Sequence, residues 1–172
     1  MNFFIDNINK SDFQIIINLN QQFIPAVSNL NVEDMILFEK EADYFKVLKH
    51  DEKIIGFLIA ILPNKNYESI NYLWFNNYFN SFIYIDRICI SLENQNKGYG
   101  FYFYKDLLNN YKNIVKRITC EVNIFPENIV SNNFHQKFGF TEVGRQTTSK
   151  NKKLVSLKEY KIPNKLYSTG GI

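Results

Sequence analysis

Residues Gln95 to Gly100, QNKGYG, lie between an apolar run, FIYIDRICI, and an aromatic-rich run, FYFYKDLL. Read as strand, turn and helix, the segment starts a helix at Gly98 or Tyr99. The first N–H groups of a helix have no internal acceptor, and the helix dipole adds partial positive charge there. Together they form an anion site that needs no charged side chain. Gly98 and Gly100 would let a phosphate reach the backbone, and Lys97 adds a cation at the rim. The spacing is not GxxxxGK[ST], and no third glycine follows at the distance of the dinucleotide fingerprint. By itself the glycine pair reads first as a plain turn before a helix.

Three titratable side chains stand where chemistry is possible. Asp86 interrupts the apolar strand FIYIDRICI. A carboxylate in a buried strand must either pair or serve a site. Strand alternation sends its neighbour Arg87 to the opposite face and puts Tyr84 on the Asp86 face. Arg87 would clamp a substrate carboxylate or hold the sheet together, and the structural role is preferred. In RITCEVN, alternation places Arg117, Thr119, Glu121 and Asn123 on one face, which either lines a pocket or is solvated. His135 follows on a helix whose apolar stripe is Val130, Phe134 and Phe138.

The elements that position these residues follow from periodicity. NFFIDNI reads as a first strand. Ser11 or Asp12 caps a helix to about Phe23, with Phe13, Ile16, Ile17 and Asn20 at helical spacing. Asn31 caps a second helix, NVEDMILFEKEA, with Glu33 and Asp34 in its first turn. DYFKVLKH and KIIGFLIAIL form a hairpin around Asp51-Glu52, without the favoured glycine. The second of these strands is apolar throughout and is expected to be covered on both faces. A loop and a short helix near Tyr72–Phe79 precede FIYIDRICI. The aromatic residues there, Trp74 included, are expected to pack the helix rather than border a site. Strand RITCEVN, helix PENIVSNNFHQKFG and a last hairpin, TEVGRQTTSK with KKLVSLKEYKI, complete the pattern. Strand–helix–strand in the middle implies a parallel pair with a right-handed crossover, and the flanking hairpins imply antiparallel pairs. The fold class is α/β with a mixed sheet. One domain over 1–172 is expected, with 163–172 as a C-terminal tail.

Composition narrows the function classes. The net charge is +3, with no basic stripe of the kind that marks nucleic-acid binding. Cys89 and Cys120 have no Cys or His at metal-ligand spacing and read as buried thiols, so no metal is expected. No apolar run reaches the roughly 18 residues of a membrane span, and the N-terminus lacks a signal pattern. A cytoplasmic protein, monomer or homodimer, is expected.

A second motif lies about thirty residues past the glycines: ENIVSNNFHQKFGFTEVG. With it the chain resembles the GNAT acyltransferase superfamily. The pyrophosphate loop of that family, Q/R-x-x-G-x-G/A, is matched from Gln95 to Gly100. Its N-x-x-A-x-x-F-Y-x-K-x-G-F pattern is matched by Asn128, Phe134, Lys137, Gly139 and Phe140, with Ser131 for the Ala and His135 for the Tyr.

The resemblance implies a splayed central mixed sheet flanked by helices and an enzyme that moves an acetyl group from acetyl-CoA to a primary amine. A small-molecule acceptor is favoured. A protein or peptide amine, or a CoA-binding regulator without turnover, are the alternatives. The pantetheine arm would pair with backbone near Ile88, Cys89 and Ile90 in the manner of an added strand. The pyrophosphate would rest on N–H groups from Asn96 through Lys97, Gly98, Tyr99 and Gly100 to Phe101. Asn128 and Phe134 would line the other wall. Tyr84 and Arg87 would border the acceptor. The catalytic candidates are Asp86 and Glu121 as general base and His135, in the place of the family's Tyr, as donor to the leaving thiolate or else as an exposed histidine.

Overall fold

The computed structural model describes residues 2–148 and 153–163. Strand β1 is Phe3–Asn7, followed by helices α1, Phe13–Gln21, and α2, Val32–Glu41. Strands β2, Tyr44–His50, and β3, Lys53–Ile61, lead to helix α3, Ile70–Tyr78, and strand β4, Ile83–Ile90. Helix α4, Tyr99–Tyr111, strand β5, Arg117–Phe125, helix α5, Ile129–Phe138, and strands β6, Thr141–Thr148, and β7, Lys153–Lys161, complete the order. Expected element types and order hold throughout. The expected tail lies, past Pro163, outside the described residues.

Local chemistry explains the boundaries. Asn31 accepts from Asp34 N–H at 2.8 Å while the Asp34 carboxylate accepts from Asn31 N–H at 2.9 Å, a reciprocal cap that starts α2. The β2–β3 hairpin turns on Asp51 and Glu52, with φ of 46° and 66°. Positive φ at both central residues suits the right-handed strand twist, so the hairpin closes tightly without its favoured glycine. Gly139, at φ 107°, takes the left-handed position that ends α5.

The sheet order is β1-β2-β3-β4-β5-β7-β6. All neighbours are antiparallel except β4 and β5, which run parallel through the crossover helix α4. One face carries α1, α2 and α3 over Phe57, Ile59 and Tyr84. The other carries α4 and α5 over Leu58, Ile83 and Ile85. Strand β3 is buried on both, as its unbroken apolar run implies. Burial pushes both free thiols up, Cys89 to about 12, which leaves them unreactive.

Two features of this sheet create the site. The parallel β4–β5 ladder holds only at Ile83 with Ile118 and Tyr84 with Thr119, and the strands then part. Strand β4 also bulges: Arg87 pairs with Ile59 and Ile85 with Ala60, so Asp86 has no partner. An extra residue resets the alternation. Tyr84 and Cys89 therefore lie on the same face although their numbers differ in parity.

Candidate active site

The bulge corrects the expectation for Arg87. Asp86 and Arg87 are on the same face, and Arg87 Nε donates to Asp86 Oδ2 at 2.7 Å. Both side chains are 6% exposed. The guanidinium also donates to Asn20 Oδ1 at 3.0 Å, to Ser28 O at 3.1 Å and to Ser28 Oγ at 2.9 Å. Its carbon sits 5.5 Å from the centre of the Phe38 ring on α2. Arg87 thus holds β4, α1, α2 and the loop between the two helices together, the structural role that the sequence reading preferred. The other Asp86 oxygen accepts from the Tyr67 hydroxyl. Asn20 is fully buried in this network, which accounts for a polar residue at an apolar helix position.

Glu121 lies across the splay on the same face, with Thr119 and Asn123 beside it as alternation requires. Tyr84, fully buried, donates its hydroxyl to Glu121 Oε2 at 2.8 Å. Burial, and then the Asp86 charge, push the Glu121 carboxyl up to about 7, against hydrogen bonds from Tyr84 and Asn71 that pull it down. A carboxylate poised there can take a proton near neutral pH. Asp86 is committed to Arg87 and Tyr67, so the two carboxylates differ in what they can do. Tyr67 and Asn71 come from the segment between β3 and β4, and the sequence reading did not single them out. The NYESINYLWF stretch signalled a loop and an aromatic helix, not polar side chains aimed inward.

His135 occupies neither expected position. It is 3% exposed, on the other face of the sheet, between α4 and α5. Its Nδ1 donates to Ser131 O at 2.7 Å, and its Nε2, 2.8 Å from the Tyr104 oxygen, accepts from that hydroxyl. Both nitrogens are engaged, which leaves no N–H for a leaving thiolate. The apolar stripe of α5 is Phe134, His135 and Phe138, while Val130 is 70% exposed. Burial lowers the His135 pKa from 6.5 to about 4. A group lowered on folding stabilises the fold above its unfolded pKa and ceases to do so as pH falls through its folded one. Stability is therefore expected to drop by about 3 kcal/mol between pH 6.5 and pH 4 from this group alone. Urea unfolding across that range should show the slope, and His135→Phe should flatten it.

The QNKGYG segment forms the loop into α4. Asn96 and Gly98 have φ of 61° and 84°, and Gly98 caps the helix. Gln95 Nε2 donates to Ile90 O at 3.3 Å and ties the loop to the end of β4. Lys97 Nζ bonds Asn94 Oδ1 at 3.0 Å. The first helical bond is Tyr102 N–H to Gly98 O, so the N–H groups of Asn96–Phe101 have no acceptor among the described residues. A Cβ on Gly98 would meet nothing within 4 Å, and the position is open. Gly100 is different: a Cβ there would stand 2.8 Å from the Phe134 ring. The closeness of α4 to α5 therefore keeps Gly100 small, where the sequence reading gave phosphate access as the reason. Gly100→Ala is expected to cost about 1–3 kcal/mol by overpacking. Urea unfolding should register that loss, and Phe134→Leu in the same chain should recover most of it.

The remaining expected residues fall around the splay. Ile88, Cys89 and Ile90 lie on β4 beyond its last pair with β5, where no strand among the described residues pairs with them on that side and Ile90 O accepts from Gln95. Asn128 caps α5, accepting from Ser131 N–H at 3.0 Å. Tyr99 packs on Phe3 and Phe101 on Phe134, so α4 presents backbone rather than these rings to the loop mouth. Trp74 packs on Tyr78 and over Gly144 of β6, as the preferred reading had it. Residues 12–140 match the family model described as Acetyltransferase (GNAT) family.

The chain belongs to this family. GNAT acetyltransferases use acetyl-CoA as co-substrate, and the parted strands and unbonded N–H groups of this GNAT chain fit it. Ard1 from Thermoplasma volcanium superposes with a TM-score of 0.76 at 13% identity, over 94% of this chain and 98% of that one. The ribosomal-protein-S18-alanine N-acetyltransferase from Escherichia coli gives 0.71 at 14%, over 96% and 99%. The protein yncA from Salmonella typhimurium, solved with its cofactor acetyl-CoA, gives 0.71 at 11%, over 95% of each chain. At these identities the likeness is one of fold. No curated protein matches the GNAT chain by sequence. No helix among its described residues is long and apolar enough to cross a membrane.

Proposed function

We propose that the chain transfers an acetyl group from acetyl-CoA to the primary amine of a small molecule. When bound, acetyl-CoA supplies a thioester that a neutral amine attacks directly. Backbone N–H groups of Asn96–Phe101 would hold its pyrophosphate, and the free edge of β4 near Ile88–Ile90 its pantetheine arm. An ordinary alkyl ammonium has a pKa of about 10.4, so reaching the neutral amine at pH 7 costs roughly 4–5 kcal/mol. Glu121 is the base that takes this proton, directly or through water. Asp86, fixed by Arg87 and Tyr67, keeps a negative field beside Glu121 and favours a cationic acceptor.

The observation that supports a small acceptor is the α1–α2 loop. It crosses the gap between β4 and β5 on the face that carries both carboxylates. Ser28 is held by Arg87 of β4, and Ala26 O accepts from Asn123 Nδ2 of β5 at 3.2 Å. Pro25 O accepts from Lys153 of β7. A loop fastened on both sides of the gap leaves little room for an extended peptide to lie across it.

The test is thioester consumption with a panel of small amines and of peptides with free N-termini or lysines. Small amines should turn over with the higher kcat/KM. A preference for peptides would replace this reading by the peptide one. Thermal protection by acetyl-CoA well beyond that by adenosine, with no turnover of any amine, would leave a CoA-binding regulator.

A further inference from the structure

The α1–α2 loop is fastened unequally at its two sides. On the β4 side its bonds are several and sheltered. Arg87 donates to Ser28 O at 3.1 Å and to Ser28 Oγ at 2.9 Å, and the fully buried Asn20 donates through Nδ2 to the same Ser28 O at 2.9 Å. Gln21 of α1 adds a bond to Asn29. On the β5 side the loop tip, Ile24, Pro25 and Ala26, is exposed. Two side-chain bonds hold the tip there among the described residues, both exposed and both ending on main-chain carbonyls. Asn123 Nδ2 donates to Ala26 O at 3.2 Å, and Lys153 donates to Pro25 O. A bond in contact with water is readily exchanged for one to water, whereas breaking the buried Arg87 bonds strands a charge. The loop is thus hinged at Ser28 and latched at Ala26. Its two anchor points flank the carboxylates. Arg87 pairs with Asp86 at 2.7 Å, and Asn123 shares a face of β5 with Glu121, two residues on. Two residues span about 7 Å along a strand.

We propose that Asn123 and Lys153 are specificity-determining residues, which latch the loop tip across the Glu121 end of the splay and so restrict the acceptor to a slim amine. The inference rests on the reading of this site as one for small amines. A short alkyl amine needs only the width of its own chain beneath the tip. A peptide carries main chain beside its amine and needs the tip lifted. Lifting breaks the two exposed bonds and leaves the Ser28 anchorage whole, so the loop swings open on its β5 side. That cost falls on broad acceptors and not on slim ones. Because both acceptors are main-chain carbonyls, the latch depends on the donors of β5 and β7 rather than on the side chains of the tip.

The experiment joins hydrogen exchange to a two-substrate assay on the whole chain, native against Asn123→Leu, Lys153→Met and the double variant. The Val27 amide, bonded to Phe23 O at 3.1 Å around the tip, is the reporter. Its exchange should quicken by about tenfold in the double variant, as loss of two exposed hydrogen bonds predicts, while the amides of α2 keep their rates. Thioester consumption from acetyl-CoA is then followed with butylamine and with a tetrapeptide bearing a free N-terminus. The ratio of kcat/KM, tetrapeptide over butylamine, should rise by about tenfold in the double variant, through a lower KM for the peptide. Lys153→Arg keeps a donor and should match the native chain. If Asn123→Leu fails to fold, Lys153→Met by itself should give a smaller shift of the same sign in both measurements. Faster Val27 exchange with an unchanged ratio would overturn the proposal, as would a changed ratio with unchanged exchange. A native chain that already prefers the tetrapeptide would overturn the small-amine reading itself. A native preference for butylamine that the double variant leaves in place would overturn the latch alone.

Discussion

Replacing Glu121 with Gln is expected to lower kcat/KM for the acceptor amine by roughly 10²–10⁴-fold, the usual contribution of a general base. The pH profile should change with the rate. In the native chain Glu121 is neutral below and ionised above about 7, so activity rises with pH through that value. The Gln variant should lose this limb and keep only the dependence that comes from deprotonation of the amine itself. Stability should move the other way. A carboxyl raised from 4.5 to about 7 on folding favours the folded state most when protonated and least when the pH exceeds both values. At pH 8 the native chain therefore bears up to about 3 kcal/mol from holding this charge indoors, and Glu121→Gln should recover part of it. A variant that is less active and more stable at pH 8 cannot owe its lost activity to unfolding. Undiminished turnover with the limb still in place would move the base assignment away from Glu121.

Arg87→Met is the second large effect, and it falls on stability. The substitution leaves the Asp86 carboxylate buried with only Tyr67 as partner and strips Asn20 Oδ1 and Ser28 Oγ of the donor they share. Breaking a buried pair from one side typically costs about 3–5 kcal/mol. For a chain of this size that corresponds to roughly 6–20 °C in Tm. Removing both charges, as Asp86→Leu with Arg87→Met, should restore much of the loss, since a buried pair replaced by apolar groups is often neutral. Thermal unfolding of the two variants at one pH decides it: a loss below about 1 kcal/mol for the single variant would mean that water reaches Asp86. The double variant should still lose activity, because the α1–α2 loop is no longer fastened to β4.

Much of this molecule is legible in its residues because the signals are local. Asn31 with Asp34 announces a helix start, and the unbroken KIIGFLIAI announces a strand covered on both sides. Gln95, Gly98 and Gly100 carry a loop whose backbone is left unbonded, and the later Asn128, Phe134 and Gly139 give the family. Alternation also placed Glu121 with Thr119 and Asn123, since β5 is regular through those residues.

The tertiary structure decided the rest. Alternation failed at Arg87 because one unpaired residue in β4 resets the faces, and nothing local to IDRIC marks the bulge. It decided that His135 turns inward to Tyr104, a partner 31 residues away, rather than toward the acceptor side. Gly100 has the spacing of a phosphate residue, yet Phe134, on another helix, takes the space a Cβ there would need. Asn71 and Gln146 meet across 75 residues, and only the docking of α3 on β6 brings them together. The sequence by itself determined the elements, the open loop before α4 and the family, because these depend on neighbours along the chain. Which carboxylate is free to act, and what holds it, depends on desolvation and on hydrogen bonds between distant segments, and those exist only once the sheet and helices have packed.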